Sequence, residues 1–199
     1  TKDYTAYLLS GIILWNFFSQ STSASVHSFF GNSHLIKKVY LPRAIFPLSV
    51  VISALLNFVF SLLPLFFIFA VNGTPLSADF YILPIGLALI LIFSFGVSLI
   101  VSTLTVFFHD TRFIYEVLLL AWMYATPIFY PESIVPERFS LILHLNPLYY
   151  FLSIFRGALY LDTPALTFKI FIAFLFSAAS LLAGWFFYNR NRDWMVYYL

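Results

Sequence analysis

Between Arg43 and Asp110 the sequence carries one formally charged residue, Asp79. On either side of it lie two apolar runs, 44–71 and 80–107, each longer than the roughly 20 residues a helix needs to cross a hydrocarbon core of about 30 Å. A soluble helix needs a polar face opposite its apolar stripe, and these runs have none. They belong in a bilayer, where a helix satisfies its own backbone polar groups. The rest of the chain agrees: 62% of residues are hydrophobic and mean hydropathy is +0.94, while 9% are charged, against about 25% in soluble domains. Ten basic against eight acidic residues leave a formal charge of +2, too little to hold a polyphosphate backbone, so nucleic acid is excluded as a partner. The 22% aromatic content suits side chains that face lipid, belt the interfaces or line a pathway. Cysteine is absent, which removes disulfides, thiolate metal sites and cysteine nucleophiles.

Three further segments complete an all-α membrane bundle with five expected spans. The first, 4–30, has an apolar core, YLLSGIILWNFF, followed by a polar half, SQSTSAS. In lipid that half must face protein or a wet cavity, either to let helices approach closely or to line a pathway. The second and third are the runs above, with Pro47 and Pro64 in the second implying a local kink. The fourth covers 113–130 and the fifth 165–188. Between these two, 131–164 mixes short apolar runs with prolines and charges; neither FSLILHL nor LYYFLSIF is long enough to span, so both read as short re-entrant or interfacial helices on the outer side.

Orientation follows from the loops. The stretch 31–43, GNSHLIKKVYLPR, holds Lys37, Lys38 and Arg43 with no acid, which directs it to the cytoplasm. The connector 109–112 carries Arg112 and the tail carries Arg190 and Arg192, whereas 72–79 has no cation. This puts the N-terminus outside and the C-terminus inside. With five spans and no initiator methionine, the expectation is a missing upstream span.

The sequence offers no motif for chemistry. None of its seven glycines is followed by lysine, so there is no phosphate-cradling loop, and any ATP must be bound by another polypeptide. His27, His34, His109 and His144 have no metal-ligand spacing, and no metal site is expected. The span centres lack ionisable groups, which disfavours ion coupling. Glu116, four residues after Arg112, shares a helical face with it and reads as the partner in an ion pair at the inner interface. The loop 31–43 then remains as the polar handle on the cytoplasmic side. As a short amphipathic element it either docks in a groove of a soluble partner or anchors the topology in the headgroups.

At this loop the residues become recognisable. LIKKVYLPRAIFPL, then FFHDTRFIYEVLLLAWMYATPIFYPESIVP, then LHLNPLYYFLSIFRGALY resemble, in order and spacing, membrane subunits of the ABC-2 transporter family. The similarity is greatest to its polysaccharide and polyol phosphate exporters, the permeases of O-antigen, capsule and teichoic acid. One departure is His109 before Asp110, where members commonly have arginine. The resemblance implies one transmembrane domain over 1–199, six spans of which this chain holds the last five, and a bacterial plasma (inner) membrane location. It implies a second permease copy, two separate ATPase subunits that carry ATP and Mg, a lipid-linked polysaccharide as substrate, and no cofactor on this chain. Lys37, Lys38, Val39, Tyr40, Leu41, Pro42 and Arg43 match the region that couples to the ATPase.

A long glycan needs many weak contacts, which aromatic faces with hydroxyl handles supply without fixing one register. The candidates are Trp15 and Phe18 on the first span, Trp122, Tyr124, Phe129 and Tyr130 on the fourth, and Tyr149 and Tyr150 near the exit. The alternatives to polysaccharide export are an exporter of drugs or other lipophilic molecules, and a membrane scaffold that transports nothing.

Overall fold

A computed structural model describes residues 4–38, 42–73, 75, 77–136, 138, 140–160 and 165–198. Among these the chain is helical, with no strand: α1 (Tyr4–Ser25), α2 (Ser28–Gly31), α3 (Ser33–Lys38), α4 (Ile45–Asn72), α5 (Leu83–Phe107), α6 (Thr111–Ala125), α7 (Ser140–Leu145), α8 (Pro147–Leu159), α9 (Leu166–Asn191) and α10 (Met195–Tyr198). Single 3-10 turns cover Ala78–Ile82 and Glu132–Ile134.

Among the described residues three helices are long and apolar enough to cross a membrane: Ile45–Asn72, Ala78–Phe107, where the 3-10 turn runs into α5, and Leu166–Asn191. The five expected spans are therefore matched by three on length and composition. α1 has 22 residues, enough to span at a rise of 1.5 Å, but its polar half dilutes it. α6 is a clear correction. The expected span 113–130 is a helix of 15 residues that ends at Ala125, about 22 Å long. Thr126, which precedes Pro127, is extended at ψ 137, because proline's ring excludes the residue before it from helical geometry. The first segment also ends early: α1 stops at Ser25, and a turn at Val26–His27 leads into α2.

α5 and α9 meet along their length through small residues. An added Cβ on Gly96 would stand 2.4 Å from the Ser180 backbone carbon, and one on Gly184 would stand 2.3 Å from the Gly96 carbonyl oxygen. Such contact allows hydrogen bonds between helices, as membrane packing favours: Ser177 donates to Leu89 O at 2.8 Å and Ser180 to Phe93 O at 3.0 Å. α1 lies against α4 and α5, and Ser98 on α5 donates to Ser21 O at 3.3 Å. The core holds Phe18, Phe58, Phe93, Phe151 and Phe155.

The segment 131–164 forms short helices, as expected, but α8 does not lie on a surface. From Leu148 to Leu159 all but Ser153 are buried, against α1, α5 and α9. Asn146 starts it: its Oδ1 accepts from Leu148 N at 3.0 Å and Trp122 Nε1 at 2.8 Å, and its Nδ2 donates to Thr126 Oγ1 at 2.9 Å. Arg156, 5% exposed, closes the other end. Its guanidinium donates to Pro127 O at 2.9 Å, Ile128 O at 3.1 Å and Tyr7 O at 3.0 Å, and lies 3.5 Å from the Tyr7 ring centroid. One cation thus ties α8, α1 and the irregular segment after α6 together.

Candidate functional site

The polar half of α1 divides between two faces. Ser21, Thr22 and Ser25 are buried and return their hydroxyl hydrogens to Phe18 O at 2.9 and 2.8 Å and Ser21 O at 2.6 Å, the usual way a helix satisfies such groups in lipid. Asn16, Gln20, Ser23 and His27 recur at intervals of three and four, so they share another face. On α4, Ser49, Ser53, Asn57 and Ser61 recur every four residues and form a second stripe, about 18 Å long. The stripes meet at a cavity of about 620 Å³ lined by Gln20, Ser23, His27, Ser49, Ser53, Asn57 and small apolar residues, with Glu116 from α6. That volume is within the range of ligand sites, roughly 300–1,000 Å³.

The groove's serines are partly committed. Ser49 donates to Phe46 O at 2.8 Å and Ser53 to Ser49 O at 2.9 Å, which leaves their oxygen lone pairs toward the cavity. No side-chain hydrogen bond ties Gln20, His27, Asn57 or Glu116 among the described residues. The expected pair of Arg112 and Glu116 does not form. Among the described residues the ion pair within 4 Å joins Arg192 and Asp193. The Arg112 guanidinium sits 4.5 Å from the Phe113 ring centroid, and this neighbouring aromatic face holds the cation while Glu116 turns to the groove. Sequence spacing allowed the pair but could not reveal the competitor next door.

The aromatic candidates separate by environment. Phe18 is fully buried, Trp15 is 8% exposed, and Tyr149 and Tyr150 are 3% and 5% exposed. Phe18 lies 5.2 Å from the Trp122 ring and 5.7 Å from Phe93; these rings are the core where α1, α5 and α6 meet. Trp122 is half-buried and spends its indole N–H on Asn146. Tyr124 is 65% exposed, with Phe129 and Tyr130 half-buried beside it, and Tyr130 donates to Tyr124 O at 3.0 Å. In this conformation Tyr124 is exposed, Trp122, Phe129 and Tyr130 are half-buried, and Trp15, Phe18, Tyr149 and Tyr150 are buried. Tyr149 donates to Glu132 Oε1 at 2.8 Å, with Lys169 Nζ 5.2 Å from its ring centroid. Burial and the adjacent carboxylate push the Tyr149 phenol above its ordinary range, so it stays a donor.

The loop 31–43 is described in part. Lys37 and Lys38 close α3 and Lys38 is exposed; Val39, Tyr40 and Leu41 lie outside the described residues. Pro42 is exposed, and Arg43 donates to the Arg192 backbone carbonyl. The next residue, Ala44, donates its N–H to Tyr188 Oη at 3.2 Å, and the Tyr188 ring stacks on Phe29 at 6.5 Å. The loop's end is therefore fastened to the end of α9. Tyr188 and Arg156 carry no motif that marks them in the sequence, although a lone arginine in an apolar helix is a recognisable signal. Among the described residues no group of three His, Asp or Glu could hold a metal.

The sequence pattern of the ABC-2 type transporter family matches residues 2–160. Two proteins of Klebsiella pneumoniae, each named O-antigen export system permease protein RfbA, are 36% and 35% identical to the chain over 147 residues, which is 73% of this chain and 57% of each relative. A protein of the same name from Myxococcus xanthus is 28% identical over 160 residues, 79% of this chain and 62% of its own length. The chain thus spans about three fifths of the curated relatives it matches. With a family match over most of its length, this chain belongs to the ABC-2 type transporter family.

Proposed function

We propose that the chain is the membrane-spanning permease of an ATP-driven exporter that moves a lipid-linked polysaccharide across a bacterial plasma membrane. The observation that carries this reading is the pairing of relatives named for O-antigen export with a cavity of about 620 Å³ between α1 and α4 whose lining includes two amides, three serines, His27 and Glu116. Such a surface suits hydroxyl-rich chains better than lipophilic drugs, which want apolar walls.

In this reading five spans, α1 and α6 included, belong to a six-span permease that works as a pair, and two ATPase subunits on the cytoplasmic face hold ATP and Mg. Lys37 to Arg43 receive the stroke. Because Arg43 and Ala44 are fastened to Arg192 and Tyr188, a push on the loop moves the ends of α4 and α9 together, and the close α5–α9 contact passes it on as a rigid-body shift. The test is deletion of the gene in its own host, with surface polysaccharide as the readout. Loss of surface glycan with intracellular accumulation supports the proposal, whereas an unchanged surface refutes it. A drug exporter or an inert scaffold gives that unchanged surface.

A further inference from the structure

The groove between α1 and α4 is polar but one-sided in charge. Gln20 and Asn57 offer amides, Ser49 and Ser53 offer hydroxyl lone pairs, His27 offers an imidazole, and among the described residues no lysine or arginine lines it. Its formal charge is the carboxylate of Glu116, whose nearest cation on the same helix, Arg112, is held against Phe113. A carboxylate can accept from two adjacent hydroxyls at once, so it suits a sugar's vicinal pair. It repels a phosphodiester or uronate brought into the groove.

We infer that this groove selects uncharged, hydroxyl-rich glycans over polyanionic ones such as polyol phosphates and polyuronates, with Glu116 as the discriminating group. The inference rests on the export reading above and narrows its substrate class. The amides and serines serve any carbohydrate; the sign of charge at Glu116 sets which is admitted.

The test uses the full chain in nanodiscs of zwitterionic lipid, with affinities measured for a neutral mannan oligosaccharide and a polygalacturonate oligosaccharide of equal length. The wild-type chain should bind the neutral probe more tightly by about tenfold. Glu116→Gln should narrow that gap, and Glu116→Lys should reverse it. Glu116 is exposed, so both variants should fold, which monodisperse gel filtration checks. Equal wild-type affinities, a gap unaltered in Glu116→Gln, or no binding of either probe would overturn the inference. None of these restores surface glycan to a deletion strain, so the export reading stands or falls by its own measurement.

Discussion

Replacing Arg156 by methionine removes the group that holds three segments together. The guanidinium serves the carbonyls of Pro127, Ile128 and Tyr7 at 2.9 to 3.1 Å, and the residue is 5% exposed, so water cannot readily take its place. A buried acceptor left without its partner costs about 1–3 kcal/mol. Part of this is offset because methionine needs no desolvation of a charge, which for buried cations is several kcal/mol. Pro127 O keeps the Tyr7 hydroxyl at 3.1 Å and Tyr7 O keeps the Ser10 hydroxyl at 2.9 Å, so Ile128 O loses most, and the net expectation is a loss of about 2 kcal/mol, or roughly 4–8 °C in the melting midpoint for a chain of this size. Arg156→Lys keeps the charge but not the fork that reaches separate carbonyls, and should recover less than half of the loss. The assay is thermal unfolding of detergent-purified protein, followed by tryptophan fluorescence. A midpoint for Arg156→Met within about 2 °C of wild type, or full rescue by lysine, would refute the clamp.

Other positions test other parts of the architecture. Gly184→Ala should destabilise by about 1–3 kcal/mol or more, since its Cβ meets the Gly96 backbone, while Gly31→Ala, with nothing within 4 Å, should leave the same melting curve unmoved. Lys37→Glu with Lys38→Glu should uncouple ATP turnover from export in a reconstituted complex while membrane insertion is unchanged; normal transport would count against the coupling role. Tyr124→Ala with Tyr130→Ala should slow export without altering thermal stability, because these rings are exposed or half-buried. An unchanged rate would remove them from the glycan's path.

The long apolar helices were legible because a charge-free run of this length has one stable environment, and the break at 131–164 was legible because proline and charge interrupt it. The end of α6 was misplaced by five residues even though Thr126–Pro127 carried the signal; the apolar character of 126–130 masked it. The cavity was half legible. The polar stretch of α1 required a wet or protein-facing side, but the partner stripe on α4 is four isolated residues spread over an apolar run, and their alignment appears only when the helix is built. The aromatic candidates failed to separate for a related reason. Composition cannot tell a ring that plugs the core, such as Phe18, from one that faces outward, such as Tyr124, because both sit in equally apolar sequence.

The central claim is that the α1–α4 groove is a hydrated path inside an otherwise greasy bundle. The chain has no cysteine, so single-cysteine variants report without background. The decisive measurement is the labelling rate of Gln20→Cys and Ser53→Cys by a charged, membrane-impermeant thiol reagent in native membranes, set against Leu63→Cys and Phe67→Cys on the outward face of α4. Fast reaction at the groove positions, slowed by added neutral glycan, with silence at the outward pair is the result predicted. Groove positions as silent as the outward pair would contradict the account.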